Sequence, residues 1–365
     1  MNIPLARPFL GEEEKEAVVR VIESRRLAMG DTVRQLETAL ARKFKRSYCA
    51  AVSSGSAALY LAIRALGVKR VIIPALTCDA VLHSVVNAGA AVIFADVDRE
   101  THNLDPATVP LEHLDAADAI IVTHTYGHPA DMEKVEHYVK KYRLTLIEDF
   151  AQATGGYFRD KAAGGFGRVS VTSFYAAKVL AAGHGGAILT DDEELYHKCV
   201  YGRGSRADRY YRDIIPFNLQ MTDLQAAIGL VQLAKLDRMV EMRNRVAGWY
   251  DRGFGASPVG LTLQHPWAKP ARYKYAIILP ENVSKSDFIE SMKESGIDVG
   301  RLYDPPLHRT ERALKIPDKK VNLPVAEELA SRTVSLPMYP ELTSTDVEKI
   351  CREVITTIGA SGANE

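Results

Sequence analysis

The sequence lacks most features that advertise a compartment or a charged partner. Cysteine is scarce: Cys49, Cys78, Cys199 and Cys351 are scattered without a C-x-x-C pair. That spacing fits neither a zinc site nor a disulfide framework, and a reducing cytoplasm is the expected compartment. No apolar run approaches the roughly 18 residues that a membrane span needs. The stretch Met1 to Arg20 carries Pro4, Pro8 and the acidic run Glu12, Glu13, Glu14 where a signal peptide would need an unbroken apolar core. Excess charge of one sign is missing as well: 46 Lys and Arg face 46 Asp and Glu, a formal net charge of +0. No global field then draws the chain to nucleic acid or an anionic membrane, and an anionic ligand must be held locally. There is no internal repeat and no low-complexity tract beyond a short polar end at Ser361 to Glu365.

What is present is a chain of 365 residues, 47% hydrophobic, in the range of soluble globular proteins. Single cores stop growing at roughly 250–300 residues, so two units are expected. Short β-branched runs recur between amphipathic helices: Val71 to Ile73, Val92 to Phe94, Ala119 to Val122, Leu144 to Ile147 and Val169 to Phe174. Lacking period-2 polarity, they read as buried strands of a mostly parallel sheet. Asp131 caps a helix with Met132, Val135, Val139 and Tyr142 on one face, the crossover that a parallel pair requires. Thr32 with Gln35, and Thr222 with Gln225, are capping-box signatures that open two further helices. Past about Arg245 the pattern changes to an alternating Tyr273 to Ile277, a helix over Asp287 to Ser295 and a last helix after Thr343, capped with Asp346. The expected organisation is a large α/β domain over 1–245, N-terminal helices included, and a small α+β domain over 246–365.

Three stretches carry chemistry. In Ser53-Ser54-Gly55-Ser56-Ala57 an apolar run, Ala50 to Val52, meets a Gly/Ser turn and a helix start, where free N–H groups bind phosphate. By itself this is also ordinary loop composition. In Leu146 to Gln152, Asp149 stands just past the end of a strand, where α/β sheets collect ligands. It reads as a partner for a pyridinium nitrogen or as a helix cap. In Ser173 to Lys178, followed by Gly183-His184-Gly185-Gly186, the lysine has small and apolar neighbours. Desolvation there would favour the neutral amine that forms an imine, although most lysines snorkel to solvent.

In this order and spacing the three stretches resemble the DegT/StrS family of aminotransferases, which use pyridoxal 5′-phosphate (PLP) to aminate keto sugars attached to nucleotides. The likeness also runs through Gly30 to Glu37, Pro74 to Thr77, His124 to Gly127, Met221 to Asp223 with Ala226 and Ala227, Tyr303 to His308 and Ser335 to Pro337. It implies the type I PLP aminotransferase fold: a mainly parallel seven-stranded sheet flanked by helices, with a small C-terminal α+β domain. It implies that Lys178 holds PLP as a Schiff base, that Asp149 pairs with the pyridine nitrogen and that Gln152 hydrogen-bonds the ring hydroxyl. Gly55, Ser56, the backbone around Ala57, and Ser173 resemble the phosphate cup. A loop of a second subunit completes the cup in the family; the matching stretch is Asn218 to Met221, with Gln220, so a homodimer with shared active sites is implied.

The implied reaction takes an amino group from an amino acid, L-glutamate, to a keto sugar in amino-sugar biosynthesis, with pyridoxamine 5′-phosphate as the intermediate cofactor form. Three positions depart from the pattern. Cys78 stands where many relatives carry an aromatic residue on the ring, His184 where glutamate is frequent, and Gln220 where arginine or asparagine is frequent. For the acceptor's diphosphate, Arg203, Arg206, Arg209 and Arg212, interleaved with Tyr201, Tyr210 and Tyr211, form a candidate clamp, though such a stretch also reads as a solvated loop. Tyr303 and His308 resemble residues that approach the substrate from the small domain. His124 and Tyr126 read as pocket lining or as packing. Relatives that dehydrate sugars replace the imine lysine with histidine, and Lys178 argues against that chemistry. A cyclitol or other cyclic ketone as acceptor, and a PLP-binding regulatory protein without turnover, stay open.

Overall fold

The computed structural model describes residues 2–204, 211–255, 257–262, 265–313 and 321–361. Two helices, α1 (Glu12–Ser24) and α2 (Asp31–Lys43), precede the large sheet. Its strands are β1 (Tyr48–Val52), β2 (Arg70–Pro74), β3 (Ala91–Ala95), β4 (Ala119–Thr123), β5 (Thr145–Asp149), β6 (Val169–Ser173) and β7 (Gly186–Thr190). They lie in the order β1-β7-β6-β5-β4-β2-β3. Only β7 runs against the rest, pairing antiparallel with β1 and β6. The expected seven-stranded, mainly parallel sheet is therefore present.

The central strands are apolar on both faces because both faces are covered. Val71, Ile73, Ile121 and Ile147 point into one core, and Ile72, Ile120, Val122 and Leu146 into another on the opposite side. Alternate side chains of one strand thus enter different cores, and the sequence shows a continuous apolar run instead of an alternation. Helices α3 (Gly55–Leu66) and α4 (Asp79–Asn87) follow β1 and β2. The Asp131 side chain caps the crossover helix Met132–Tyr142 as expected. β5 ends two residues later than the apolar run suggested, so Asp149 is its last residue instead of lying beyond it.

The small unit is α+β: a four-stranded sheet that includes Tyr275–Ile278 and Thr333–Leu336, with helices Lys285–Glu294 and Ser344–Ser361. The first of these helices starts two residues before the expected Asp287 and is capped by Ser284, and Thr343 pairs reciprocally with Asp346 at the second. The long helix Asp223–Phe254 opens on the Thr222–Gln225 capping box and runs through the expected boundary at 245. Its first half packs in the large unit and Val246, Tyr250 and Phe254 in the small one. The N-terminal Ile3 also packs in the small core.

The Thr32–Gln35 box does not form. The start of α2 is held instead by Asp223, whose carboxylate accepts the N–H groups of Gly30, Thr32 and Val33 at 2.8, 3.3 and 3.0 Å. A Cβ on Gly30 would stand 2.7 Å from that carboxylate, so the side chain's absence admits the cap. Among the described residues no helix is long and apolar enough to cross a membrane.

Candidate active site

The C-terminal ends of the parallel strands leave a crevice, and the small unit closes one side of it. The resulting cavity, of about 610 Å³, is lined by Ser54, Gly55 and Ser56 after β1, Cys78 after β2, Asp149 at the end of β5 with Gln152 beyond it, and Ser173 at the end of β6 with Lys178 beyond it. Tyr273, Lys274, Leu302 and Tyr303 face them from the small unit. Ligands collect at this edge of open α/β sheets because crossovers leave it uncovered.

At the β1–α3 turn the Ser54 hydroxyl caps α3 by accepting the N–H of Ala57 at 3.1 Å. Ala57 is buried and does not line the cavity, so Gly55 and Ser56 present this helix start to a ligand. Gly55 is required by packing: a Cβ there would lie 2.6 Å from the Ser173 Cβ. The close approach brings the Ser173 hydroxyl against the helix N-terminus, a donor set suited to phosphate.

Asp149 is the one carboxylate among the described lining residues. The Ala151 N–H fixes its Oδ1 at 3.0 Å. Burial raises its carboxyl above the usual range, against the pull of that N–H and of the Lys178 cation. Beneath it lies Glu148, wholly buried, which accepts the N–H groups of Gly164, Phe166 and Gly167 and the Ser170 hydroxyl. His124 Nε2 stands 3.0 Å from the same carboxylate, while its Nδ1 accepts the Ala130 N–H at 3.0 Å. That second bond places the ring hydrogen on Nε2, which donates to Glu148. His124 and Tyr126 are buried behind the cavity wall, His124 bonded to Glu148 and Tyr126 to Gln152 through its N–H.

Gln152 is oriented by two donors to its Oε1: the Tyr126 N–H at 2.9 Å and the Tyr303 hydroxyl at 3.1 Å. Its amide N–H groups have no acceptor among the described residues and remain for a ligand's oxygen. Lys178 lies in a tight turn, its N–H bonded to the Tyr175 carbonyl at 2.8 Å. Val179 to Ala182 are buried and anchor this turn. Its Nζ stands 4.4 Å from the Tyr273 ring centre. Cys78 is exposed and lines the cavity, and the protein packed around that position pushes its thiol up.

Several candidate positions do not line this cavity. His308 does not line the cavity: it is 1% exposed, and packing holds its Nε2 2.9 Å from Glu327. Asn218 and Gln220 lie outside this chain's own cavity, Gln220 donating to the Gly204 carbonyl at 2.8 Å. Arg203 leaves the proposed clamp, because it is buried and donates to Glu37 and to the Ala51 carbonyl. Arg206 and Arg209 fall outside the described residues. Conversely, Tyr273 and Lys274 read in the sequence only as the head of a strand, and the fold puts them opposite Lys178. Nothing local marks them, since their neighbours arrive from β6, about a hundred residues earlier.

The DegT/DnrJ/EryC1/StrS aminotransferase family matches residues 8–355. The chain belongs to that family. The GDP-perosamine synthase of Escherichia coli O157:H7 is 31% identical to this aminotransferase, over 96% of this chain and 97% of its own length. A protein of Geobacillus stearothermophilus named pleiotropic regulatory protein is 35% identical, over 94% and 95%. Among solved structures, Helicobacter pylori PseC, an aminotransferase of pseudoaminic acid biosynthesis, superposes with a TM-score of 0.91 at 25% identity, covering 99% of this chain and 100% of that one.

Proposed function

We propose that this aminotransferase carries PLP on Lys178 and moves an amino group from L-glutamate to the ketone of a nucleotide-linked sugar. The observation that carries the reading is the convergence of Lys178, Asp149, the open amide of Gln152 and the Ser56–Ser173 cup on one cavity. These residues fit the cofactor. Gly55 and Ser56 at the start of α3, with Ser173, would hold its phosphate; Gln152 Nε2 would donate to its ring oxygen; and Asp149 would hold the proton on its ring nitrogen. Bound there, PLP supplies an electron sink for the carbanion formed when a substrate loses its α-proton. Lys178 Nζ is the group that takes and returns that proton, and the closed side of the cavity at Leu302 and Tyr303 excludes water.

A GDP-linked product in the name of one relative supports a nucleotide-linked acceptor. Another relative is named a regulatory protein, yet Lys178 and Asp149 both face the cavity here, which favours turnover. Ile215 and Phe217, 82% and 69% exposed beside Asn218, are apolar side chains that a second copy would cover. This supports a homodimer in which Asn218 and Gln220 complete the partner's cup. The free thiols fit a cytoplasmic enzyme.

The test is chemical. Borohydride reduction of the holoenzyme should attach the cofactor to the peptide containing Lys178, located by mass spectrometry. Lys178→Ala should lose that label and slow release of 2-oxoglutarate from L-glutamate by at least about 100-fold, the least that a positioned acid–base group contributes. A label on another lysine, or wild-type turnover without Lys178, would sink the assignment.

A further inference from the structure

The cavity holds more positive charge than the reading so far uses. Lys274 donates its N–H to the Tyr126 carbonyl at 3.1 Å and extends its side chain into the cavity. Its Nζ stands 5.1 Å from the Tyr273 ring centre, and Lys178 approaches the same ring at 4.4 Å. No described residue accepts a hydrogen bond from this ammonium, and no described carboxylate forms an ion pair with it. Burial, with the Lys178 and Arg243 cations as its charged neighbours, pushes it down to about 8. Arg243 is 3% exposed and, among the described residues, its hydrogen bonds go to the Arg272 and Met338 carbonyls, with Nε lacking an acceptor there. Burial pushes it down to about 10. Cations enclosed without a counter-charge are costly, and an arriving anion relieves that cost.

We propose that Lys274 receives the α-carboxylate of the amino donor, with Arg243 behind it as a fixed positive charge. This rests on the aminotransferase reading above. The α-carboxylate lies two bonds from the nitrogen that reacts, so its receptor must stand within a side chain's reach of Lys178, as Lys274 does across Tyr273. A nucleotide diphosphate is separated from the reacting ketone by the sugar ring and calls for a cation farther out.

Lys274→Met keeps the length of the side chain and removes the charge, whereas Lys274→Arg keeps the charge. In the holoenzyme, the L-glutamate concentration for half-maximal change of the cofactor absorbance should rise about 10- to 100-fold in Lys274→Met, the worth of one charged hydrogen bond. It should stay near the wild-type value in Lys274→Arg. Calorimetric titration with glutarate, which has carboxylates and no amine, should show the same loss without turnover. Propylamine, which has no carboxylate, should perturb the cofactor absorbance equally in both proteins. Unchanged glutamate saturation and glutarate binding in Lys274→Met would overturn the proposal. So would an equal loss with propylamine, or a loss confined to GDP titration, which would assign the cation to the acceptor. If no amino acid changed the absorbance of the wild-type protein, the aminotransferase reading would fail instead, and glutarate titration would still judge Lys274.

Discussion

Glu148 offers the sharpest test of how the active-site floor is built. Five donors converge on this enclosed carboxylate: three backbone N–H groups, the Ser170 hydroxyl and His124. They tie the strand that carries Asp149 to the 164–170 turn and to the turn after β4. Glu148→Ala strands all five. A buried donor left unsatisfied costs about 1–3 kcal/mol. Water entering the vacated space recovers part of that, so a loss of about 3–5 kcal/mol is expected, as when one partner of a buried charged pair is removed. Against a total stability of about 5–15 kcal/mol this is a large share.

The assay is urea unfolding followed by tryptophan fluorescence and circular dichroism, with Glu148→Gln as a milder variant that keeps the volume and one acceptor oxygen. The pH dependence has a definite sign. Burial raises the Glu148 carboxyl, but His124 and the converging N–H groups outweigh it and hold the group below its ordinary value. Stability from a depressed carboxyl is complete above the ordinary glutamate value of about 4.3 and is lost as pH falls through the folded value. The gap between wild type and Glu148→Ala should therefore be constant near neutrality and narrow in acid. A loss under about 1 kcal/mol, the net worth of one ordinary hydrogen bond, would refute the network's importance.

Other outcomes follow from single contacts. Asp223→Ala should destabilise the protein by about 2 kcal/mol, the upper range for a helix cap, read as a shift in the same urea transition. Gly55→Ala should weaken PLP binding in equilibrium dialysis by about tenfold or more, because a new Cβ 2.6 Å from Ser173 must separate α3 from β6. Cys78 should react with iodoacetamide at pH 7.5 more slowly than free cysteine, since the protein packed around it raises its thiol, and bound PLP should slow it further.

Whatever is settled within a few residues of chain is legible in the amino-acid sequence. The apolar runs of β2 to β6, the Asp131 cap and the Thr222–Gln225 and Thr343–Asp346 boxes are local, because a side chain reaches backbone only three or four positions away. That Ser56, Asp149, Gln152, Ser173 and Lys178 belong to one site was legible through the family resemblance, and all five line one cavity at or shortly after the ends of strands. What depends on distant partners comes only from the assembled fold. Thr32 and Gln35 carry the letters of a capping box, yet Asp223, 190 residues from Val33, takes those amides because the fold sets its carboxylate against the start of α2. His308 stands in a motif suggestive of substrate contact, but packing encloses it against Glu327. Lys274 sits in an ordinary strand-leading stretch and faces Lys178 only once the small unit folds over the sheet's edge. Charge, burial and free hydrogen-bonding capacity are properties of that assembled environment, and no spacing along the chain encodes them.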